Sequence, residues 1–194
     1  HVLPIDDRLL IRTNAEAVGR PTVLGKRNTV NYVEGMRGMG PDVFIDLRSK
    51  PYTMTAEVEV GAKGNGVIVC QGGRFGGLSF YMKDGKPAFG YNYLGLESTN
   101  IVSNQALGPG KYTLVYDFAY DGGGLGKRGT GTLSVNGKKV AEGRIEKTQP
   151  GLFSVDDMAD VGMDEGTQVI NYGGSDKFTG KIHKITIVKI DGSK

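Results

Sequence analysis

The sequence has little of what catalytic and metal centres are usually built from. It contains 1 cysteine and 2 histidines, which excludes an intrachain disulfide, and no cluster has the spacing of a zinc site. Because His1 is terminal, a catalytic triad would depend on His183 alone, and KIHKITIV places His183 on the solvent side of a predicted strand. Cys70, in the apolar run GVIVCQ, is expected to be a buried, unreactive thiol.

An excess of one charge and a long apolar run are also missing. The net charge is +3, and the lysines are interspersed with acidic residues, so the basic stripe of a DNA-binding protein is absent. No apolar run approaches the roughly 20 residues of a membrane-spanning helix. No signal peptide is recognisable. We therefore expect either a cytoplasmic chain or a chain whose signal peptide has already been removed. We therefore expect neither a nucleic-acid partner nor a membrane partner.

Glycine, by contrast, is abundant, with 32 residues against 7 prolines. Such a surplus without a collagen period predicts many tight turns and therefore many short strands. Asp84-Gly85 and Asn136-Gly137 are favoured dipeptides of two-residue hairpin turns. The length of 194 residues suits one domain with a single well-buried core.

Period-two alternation of apolar residues marks the strands. Tyr52–Val60 alternates strictly, Lys111–Tyr120 alternates again, and Lys181–Ile190 is rich in β-branched residues. Helical signals are limited to one short turn each within residues 6–18 and 156–160. The pattern predicts an all-β, two-layer antiparallel β-sandwich or jelly roll. Residues 1–50 are expected to form a leading arm that packs on the sandwich domain of residues 51–194.

The glycine-rich segment YDGGGLGKRGTGT satisfies the G-x-G-x-x-G pattern at Gly124, Gly126 and Gly129. A dinucleotide fingerprint must leave a strand and open a helix, whose N-terminus faces the pyrophosphate. Here a second strand follows, so the segment is predicted to be the tip of a long hairpin without a nucleotide. Lys127 and Arg128 at the tip are candidates for contact with an anionic ligand, the alternative being a solvated loop tip.

One arginine and several aromatic residues form a candidate ligand-binding set. Arg74 lies in GGRFGG, where the flanking glycines allow a sharp turn that holds its side chain outward. Aromatic faces stack on sugar rings, and a guanidinium pairs bidentately with sulfate or carboxylate. Two interpretations of the aromatic residues remain, a glycan-stacking surface or core packing. The candidates are Arg74, Tyr81, Tyr91 and Tyr93.

The acidic segment SVDDMADVGMDEG is a candidate metal site. Hard oxygen ligands at this density suit calcium, although the spacing is not that of an EF-hand. The alternative is an exposed acidic loop, and no cofactor is otherwise required. The candidate ligands are Asp156, Asp157, Asp160 and Asp164.

Three stretches resemble the C-terminal domain of bacterial arylsulfatases: QGGRFGGLSFYMKDGKPAFGYNYLGLE, YDFAYDGGGLGKRGTGTLSVNGKKVAEGRIEKTQP and DVGMDEGTQV. The leading LPIDDRLL resembles the segment that connects this domain to the catalytic part. The resemblance runs from about Leu3 to Ile190 and implies a concanavalin- or laminin-G-like sandwich, a fold that often binds calcium at its rim. It also implies a periplasmic or secreted location.

The resemblance implies no catalytic residue in this chain. Those sulfatases use a C/S-x-P-x-R motif whose Cys or Ser becomes formylglycine, and after Cys70 the proline position holds Gly72. The chain alone is therefore expected not to be an enzyme, but an accessory domain that docks on and shapes a sulfatase catalytic domain upstream in a longer chain. Arg74 would then pair with a carboxylate of that domain. The alternative is a carbohydrate-binding module that recognises sulfated glycans.

Overall fold

The computed structural model describes Gly19 and residues 23–190, and these residues form strands and loops without a helix. The strands are β1 (Thr29–Tyr32), β2 (Tyr52–Val60), β3 (Gly66–Gly73), β4 (Gly76–Lys83), β5 (Lys86–Tyr93), β6 (Glu97–Val102), β7 (Gly110–Tyr120), β8 (Gly129–Val135), β9 (Lys138–Ile145), β10 (Ala159–Val161) and β11 (Lys181–Lys189). Within this part of the chain no helix exists that could cross a membrane.

The strands form two sheets. One has the order β1-β11-β2-β7-β8-β9 and the other the order β10-β3-β4-β5-β6, and all neighbouring strands run antiparallel. The predicted all-β, two-layer antiparallel sandwich is confirmed. The three predicted strands are β2, β7 and β11, each within one residue of its expected bounds.

Alternation in the sequence becomes alternation in burial, as strand β2 illustrates. Its apolar residues Tyr52, Met54, Ala56, Val58 and Val60 are buried, while the residues between them are half-buried or exposed. A strand has this pattern when one face packs on a second layer and the other faces water. The exposed position of His183 on β11, with its Nε2 3.6 Å from Glu59, confirms the solvent-side prediction.

The core between the sheets is aromatic at its centre. The Tyr116 ring on β7 stacks on Phe89 of β5 with ring centroids 3.5 Å apart. The rings of Tyr52 and Phe80 are tilted against the Tyr116 ring, with centroids 6.1 and 6.5 Å from its centroid. Because β2 and β7 belong to one sheet and β4 and β5 to the other, these contacts hold the two layers together.

The hairpin turns have the predicted residues in the predicted conformation. Asp84 and Gly85 have φ values of 51° and 75°, and Asn136 and Gly137 have values of 49° and 79°. Two successive left-handed residues are what a type I′ turn requires, and its twist matches that of the flanking strands.

The glycine-rich segment joins β7 to β8, where Tyr120 pairs with Gly129, so the hairpin prediction is confirmed. Gly124 and Gly126 have φ values of 108° and 68°. Gly129 is different: it is buried, and a Cβ atom there would overlap the Phe118 ring. Gly124 and Gly126 allow the positive φ values that the turn requires, and Gly129 leaves room for the Phe118 ring.

The described part of the leading arm packs on the sandwich and also extends it. Strand β1 pairs with β11 at the edge of the six-stranded sheet. Further along, Phe44, Ile45 and Leu47 are buried in the main core. The helical turn predicted within residues 6–18 lies outside the described residues.

The second predicted helical turn, at residues 156–160, is wrong. The backbone bends there, and β10 begins at Ala159. Ser154 Oγ accepts hydrogen bonds from the amides of Asp156 and Asp157, and Asp160 accepts one from the distant Gly38 amide. Side chains thus satisfy backbone groups that a helical turn would otherwise pair.

A covering loop, residues 163–178, lies on the outer face of the five-stranded sheet. Its Val169, Ile170 and Tyr172 form a second, smaller core with Tyr81 and Cys70 of the sheet. Cys70 is fully buried as predicted, and its burial raises the pKa of the thiol well above the usual value. Both faces of this sheet are therefore covered near its centre.

Candidate ligand-binding groove at Arg74

The turn between β3 and β4 carries Arg74 and Phe75 at its tip. Both residues are exposed, Phe75 to 67% of its surface, whereas the glycines on either side are buried. A Cβ atom on Gly72 would overlap the Gly76 carbonyl, and one on Gly73 would overlap the Asp157 carboxylate. The glycines therefore let the chain turn tightly against its neighbours while two large side chains project outward.

The backbone of Arg74 is fixed by a short chain of hydrogen bonds. Its amide donates to Thr167 Oγ1 at 2.9 Å. Thr167 is held in turn by Asp157, whose carboxylate accepts the threonine hydroxyl at 2.7 Å and the threonine amide at 3.1 Å. The role of Asp157 here is to tie the covering loop to the β3–β4 turn.

Asn92, a buried residue of β5, joins three segments below the groove. Its Nδ2 lies 3.2 Å from the Gly73 carbonyl, 3.1 Å from that of Arg74 and 2.9 Å from that of Val169. Its Oδ1 accepts the Gly95 amide at 2.8 Å. Asn92 was missed by sequence reasoning, and the only signal was a polar residue inside an aromatic strand.

The guanidinium of Arg74 is available for a ligand. It lies over the Phe75 ring, 5.4 Å from the centroid, and makes no hydrogen bond or ion pair to any residue within 23–190. The other arginines in that range are all engaged, with a carbonyl in one case and with carboxylates in the rest: Arg27, Arg37, Arg48, Arg128 and Arg144.

An open polar groove extends from Arg74 between the β5–β6 turn and the covering loop. It is lined by Arg74, Asn92, Gly95, Ser98, Gln168, Val169, Ile170 and Asn171. The lining combines one unpaired cation with neutral amides and a hydroxyl, and the exposed Phe75 ring lies beside the cation. Such a surface suits a hydroxyl-rich ligand that carries an acidic group.

The structure corrects the prediction for Tyr81 and Tyr91. Tyr91 is buried between the sheets, where its hydroxyl accepts the Gln149 amide at 2.7 Å. Tyr81 is buried under the covering loop, edge-on to Tyr172, and burial raises its pKa to about 12. Neither ring offers a face to a ligand in solution. Tyr93 is half-buried, with the Lys147 ammonium 5.8 Å from its ring centroid, and it does not line the groove.

Lys127 and Arg128 lie at the tip of the β7–β8 hairpin and do not line the groove. Arg128 Nε is 3.5 Å from Asp121, and its NH1 is 3.9 Å from Glu146, so acidic neighbours balance its charge. Lys127 is exposed, and its amide donates to the Tyr120 hydroxyl at 2.8 Å. The two residues stay candidates for a separate anion contact.

The four aspartates proposed for calcium do not form one set. Asp156 is exposed, and Asp157 is bonded to Thr167. Asp160 and Asp164 are buried beside Cys70, and among the described residues these three have ligand atoms within 4.8 Å of one another.

The two buried carboxylates already hold loops in place. Asp160 accepts the amides of Gly38 and Glu165, and Asp164 accepts the Val169 amide and, at 2.6 Å, the Tyr172 hydroxyl. Burial raises the pKa of Asp164. A thiol is a poor calcium ligand, so the donor set fits a structural role better than a calcium site, and calcium binding stays a prediction.

The sequence matches no protein-family model and no curated protein. Domains LG4-5 of the mouse laminin alpha1 chain are 14% identical over 87% of this chain, with a TM-score of 0.50. The chain spans 40% of that laminin chain, and the likeness confirms the laminin-G-like sandwich.

Two further structures are less similar. A protein of Bacteroides ovatus named for carbohydrate binding is 16% identical over 80% of this chain and 40% of its own, with a TM-score of 0.48. A heptameric SAP-like pentraxin of Limulus polyphemus is 14% identical over 84% of this chain and 74% of its own, with a TM-score of 0.44. None of the three is named as a sulfatase, so the resemblance to arylsulfatases stays a prediction.

Proposed function

We propose that this chain is a carbohydrate-binding β-sandwich that recognises a sulfated or carboxylated glycan at the Arg74 groove. The single observation that carries the proposal is the unpaired guanidinium of Arg74 above the exposed Phe75 ring. The guanidinium would bind the acidic group bidentately, and the Phe75 ring would stack on a sugar. The proposal gives the chain no catalytic role.

The neutral groups of the groove support a sugar over a simple anion. The side chains of Ser98 and Gln168 make no hydrogen bond within the described residues, and both are exposed. They are available to the hydroxyl groups of a sugar, while Arg74 supplies the one charged contact. Because Asn92 and Thr167 fix the turn, little ordering is required when the ligand binds.

The test is calorimetric titration of the full chain with a sulfated oligosaccharide and with its desulfated form. Arg74→Ala is expected to weaken binding of the sulfated form about 10- to 100-fold, as expected for loss of a charge-assisted bidentate contact. Arg74→Lys keeps the charge but loses the bidentate geometry of the guanidinium. Its affinity for the sulfated form should therefore lie between those of the wild type and Arg74→Ala. Phe75→Ala should weaken both oligosaccharides.

Arg128→Ala is the matched control because it removes the same charge from an arginine that is already paired. Its affinity should stay within about twofold of the wild type at physiological salt. Equal losses in Arg74→Ala and Arg128→Ala would mean unspecific charge attraction and would contradict the proposal. So would equal affinity of the wild type for the sulfated and desulfated forms.

We propose as a second candidate the accessory role that the sulfatase resemblance implies, in a periplasmic or secreted protein. Exposed apolar side chains on two adjacent turns favour it: Phe75 at 67%, Leu94 at 39% and Leu96 at 77% exposure. Grouped apolar side chains at a surface are typical of a contact with a partner. The partner would be a sulfatase catalytic domain.

Leu96→Asp separates the two candidates. It is expected to abolish co-elution with a sulfatase catalytic domain in size-exclusion chromatography while leaving glycan affinity unchanged. Wild-type chain that never co-elutes with such a domain would contradict the accessory role and leave the glycan proposal intact.

A further inference from the structure

The turn between β5 and β6 contains a leucine in a backbone conformation that leucine rarely adopts. Leu94 has a φ of 56° and Gly95 a φ of 69°, and the Leu96 amide closes the turn on the Tyr93 carbonyl at 3.0 Å. A left-handed conformation brings the Cβ atom of an ordinary residue close to the following carbonyl oxygen, and glycine, asparagine and aspartate tolerate it best. Leu94 therefore strains this turn.

Two other turns of this chain contain the residues that the same conformation normally takes. The first residue of the left-handed pair is Asp84 in the β4–β5 turn and Asn136 in the β8–β9 turn. Both have a short polar side chain, which suits left-handed backbone. Leu94 departs from this rule, and positions that break a local rule in this way are concentrated at functional sites.

The turn that contains Leu94 lies directly against the β3–β4 turn that carries Arg74 and Phe75. A Cβ atom on Gly95 would lie 2.8 Å from the Arg74 carbonyl oxygen and 3.9 Å from the Phe75 Cα. Asn92 joins the two turns, because its Oδ1 accepts the Gly95 amide and its Nδ2 lies 3.1 Å from the Arg74 carbonyl oxygen. The two turns therefore form one continuous surface beside the Arg74 groove.

Three large apolar side chains are exposed on this surface: Phe75, Leu94 and Leu96. We call them the apolar rim. The Arg74 guanidinium lies over the Phe75 ring, 5.4 Å from its centroid, and has no hydrogen-bond or ion-pair partner within residues 23–190. A ligand that covers both the rim and the cation must carry an apolar part next to an anionic group.

We propose that the Arg74 groove and the apolar rim together bind an acidic glycan that carries an alkyl or acyl chain. This inference rests on the glycan binding proposed above and adds the apolar chain, which would lie on Leu94 and Leu96 and leave water there. The rim is continuous with a groove whose free groups suit sugar hydroxyls, which favours the glycan over a protein partner. Asparagine in place of Leu94 would relax the turn but remove the apolar contact, so the strained leucine suits a binding role.

The experiment compares the methyl and hexyl glycosides of the sulfated oligosaccharide in calorimetric titrations of the full chain. The wild type is expected to bind the hexyl glycoside at least about tenfold more tightly, because its longer chain leaves water on binding. Leu94→Asn and Leu96→Asn should each reduce this preference at least about threefold and leave the affinity for the methyl glycoside within about twofold of the wild type. Leu94→Asn should also raise the melting temperature by about 2 °C, because asparagine tolerates the turn.

Leu125→Asn is the matched control, because Leu125 is an exposed leucine at the tip of the β7–β8 hairpin and does not line the groove. It should keep the preference for the hexyl glycoside. Equal affinity of the wild type for the two glycosides, or an unchanged preference in both Leu94→Asn and Leu96→Asn, would overturn the inference and leave glycan binding intact. A lower melting temperature of Leu94→Asn would also overturn it, since the leucine would then stabilise the turn. Binding of neither glycoside, or binding that Arg74→Ala does not weaken, would instead contradict the proposed function itself.

Discussion

Tyr116→Phe is expected to stabilise the protein, although it removes a polar group from the centre of the core. The Tyr116 hydroxyl is fully buried and has no hydrogen-bond partner among the residues that the structure describes. Burial raises its pKa well above the usual value for tyrosine. The ring stacks on Phe89 with centroids 3.5 Å apart, and phenylalanine would keep this contact.

The expected gain follows from two opposing contributions. Burying a hydroxyl without a partner costs about 1–3 kcal/mol, and the substitution removes this cost. It also leaves a void of about 15 Å³, which at roughly 24 cal/mol per Å³ costs about 0.4 kcal/mol. The net gain is about 1 kcal/mol, which corresponds to a rise in melting temperature of roughly 2–4 °C for a chain of this length.

Tyr91→Phe is the matched comparison, because it removes a hydroxyl that is used. The Tyr91 hydroxyl accepts the Gln149 amide, so its loss leaves a backbone donor unpaired and should cost about 1–2 kcal/mol. Urea denaturation followed by circular dichroism measures both variants. If Tyr116→Phe destabilises the protein as much as Tyr91→Phe does, the reasoning about the unpaired hydroxyl is refuted.

Three further predictions concern the hairpin tip, an ion pair and the thiol. In thermal melts, Gly129→Ala should cost about 1–3 kcal/mol because the added Cβ overlaps Phe118, and Gly124→Ala about 1 kcal/mol because of its positive φ. A melting temperature that ATP or NAD raises in the wild type but not in these variants would show that the hairpin tip is a nucleotide site. Asp46→Asn should lower the urea midpoint at pH 7, because cations hold the folded-state pKa of Asp46 below its unfolded value despite burial. This deficit should be full above about pH 4 and vanish as the pH falls through the folded-state pKa, and a deficit that is constant with pH would exclude the ion pair as its source. Cys70 should react with a thiol reagent only at a small fraction of its rate in denaturant, and equal rates would contradict its burial.

Local signals in the sequence predict the strands and turns but not the loop that covers the sheet. The strict alternation of Tyr52–Val60 gives β2 with its observed bounds because one face of that strand meets water. The covering loop, residues 163–178, has no such period. Its position depends on Tyr172, which bonds to Asp164 nearby and to Ser79, distant in the chain. No window of neighbouring residues contains that information.

The covering loop also explains which site residues could be predicted. Arg74 was identifiable because its flanking glycines require a tight turn with an outward side chain. Tyr81 and Tyr91 lie on opposite faces of the five-stranded sheet, and alternation would place one of them in solvent. Both are buried because the second sheet covers one face and the loop covers the other. The role of Asn92 depends on where three segments meet, which the sequence does not reveal.

The central claim is that Arg74 binds the acidic group of a glycan. Its most direct test is a titration of the full chain with a sulfated oligosaccharide, monitored through the NMR signals of the arginine Nε–H groups. The Arg74 signal is expected to shift with ligand concentration, together with the amide signals of Gln168 and Asn171 in the groove. The signal of Arg128, paired with Asp121, should move little. Saturable binding that shifts Arg128 and leaves Arg74 and the groove amides unchanged would contradict the assignment of the ligand site.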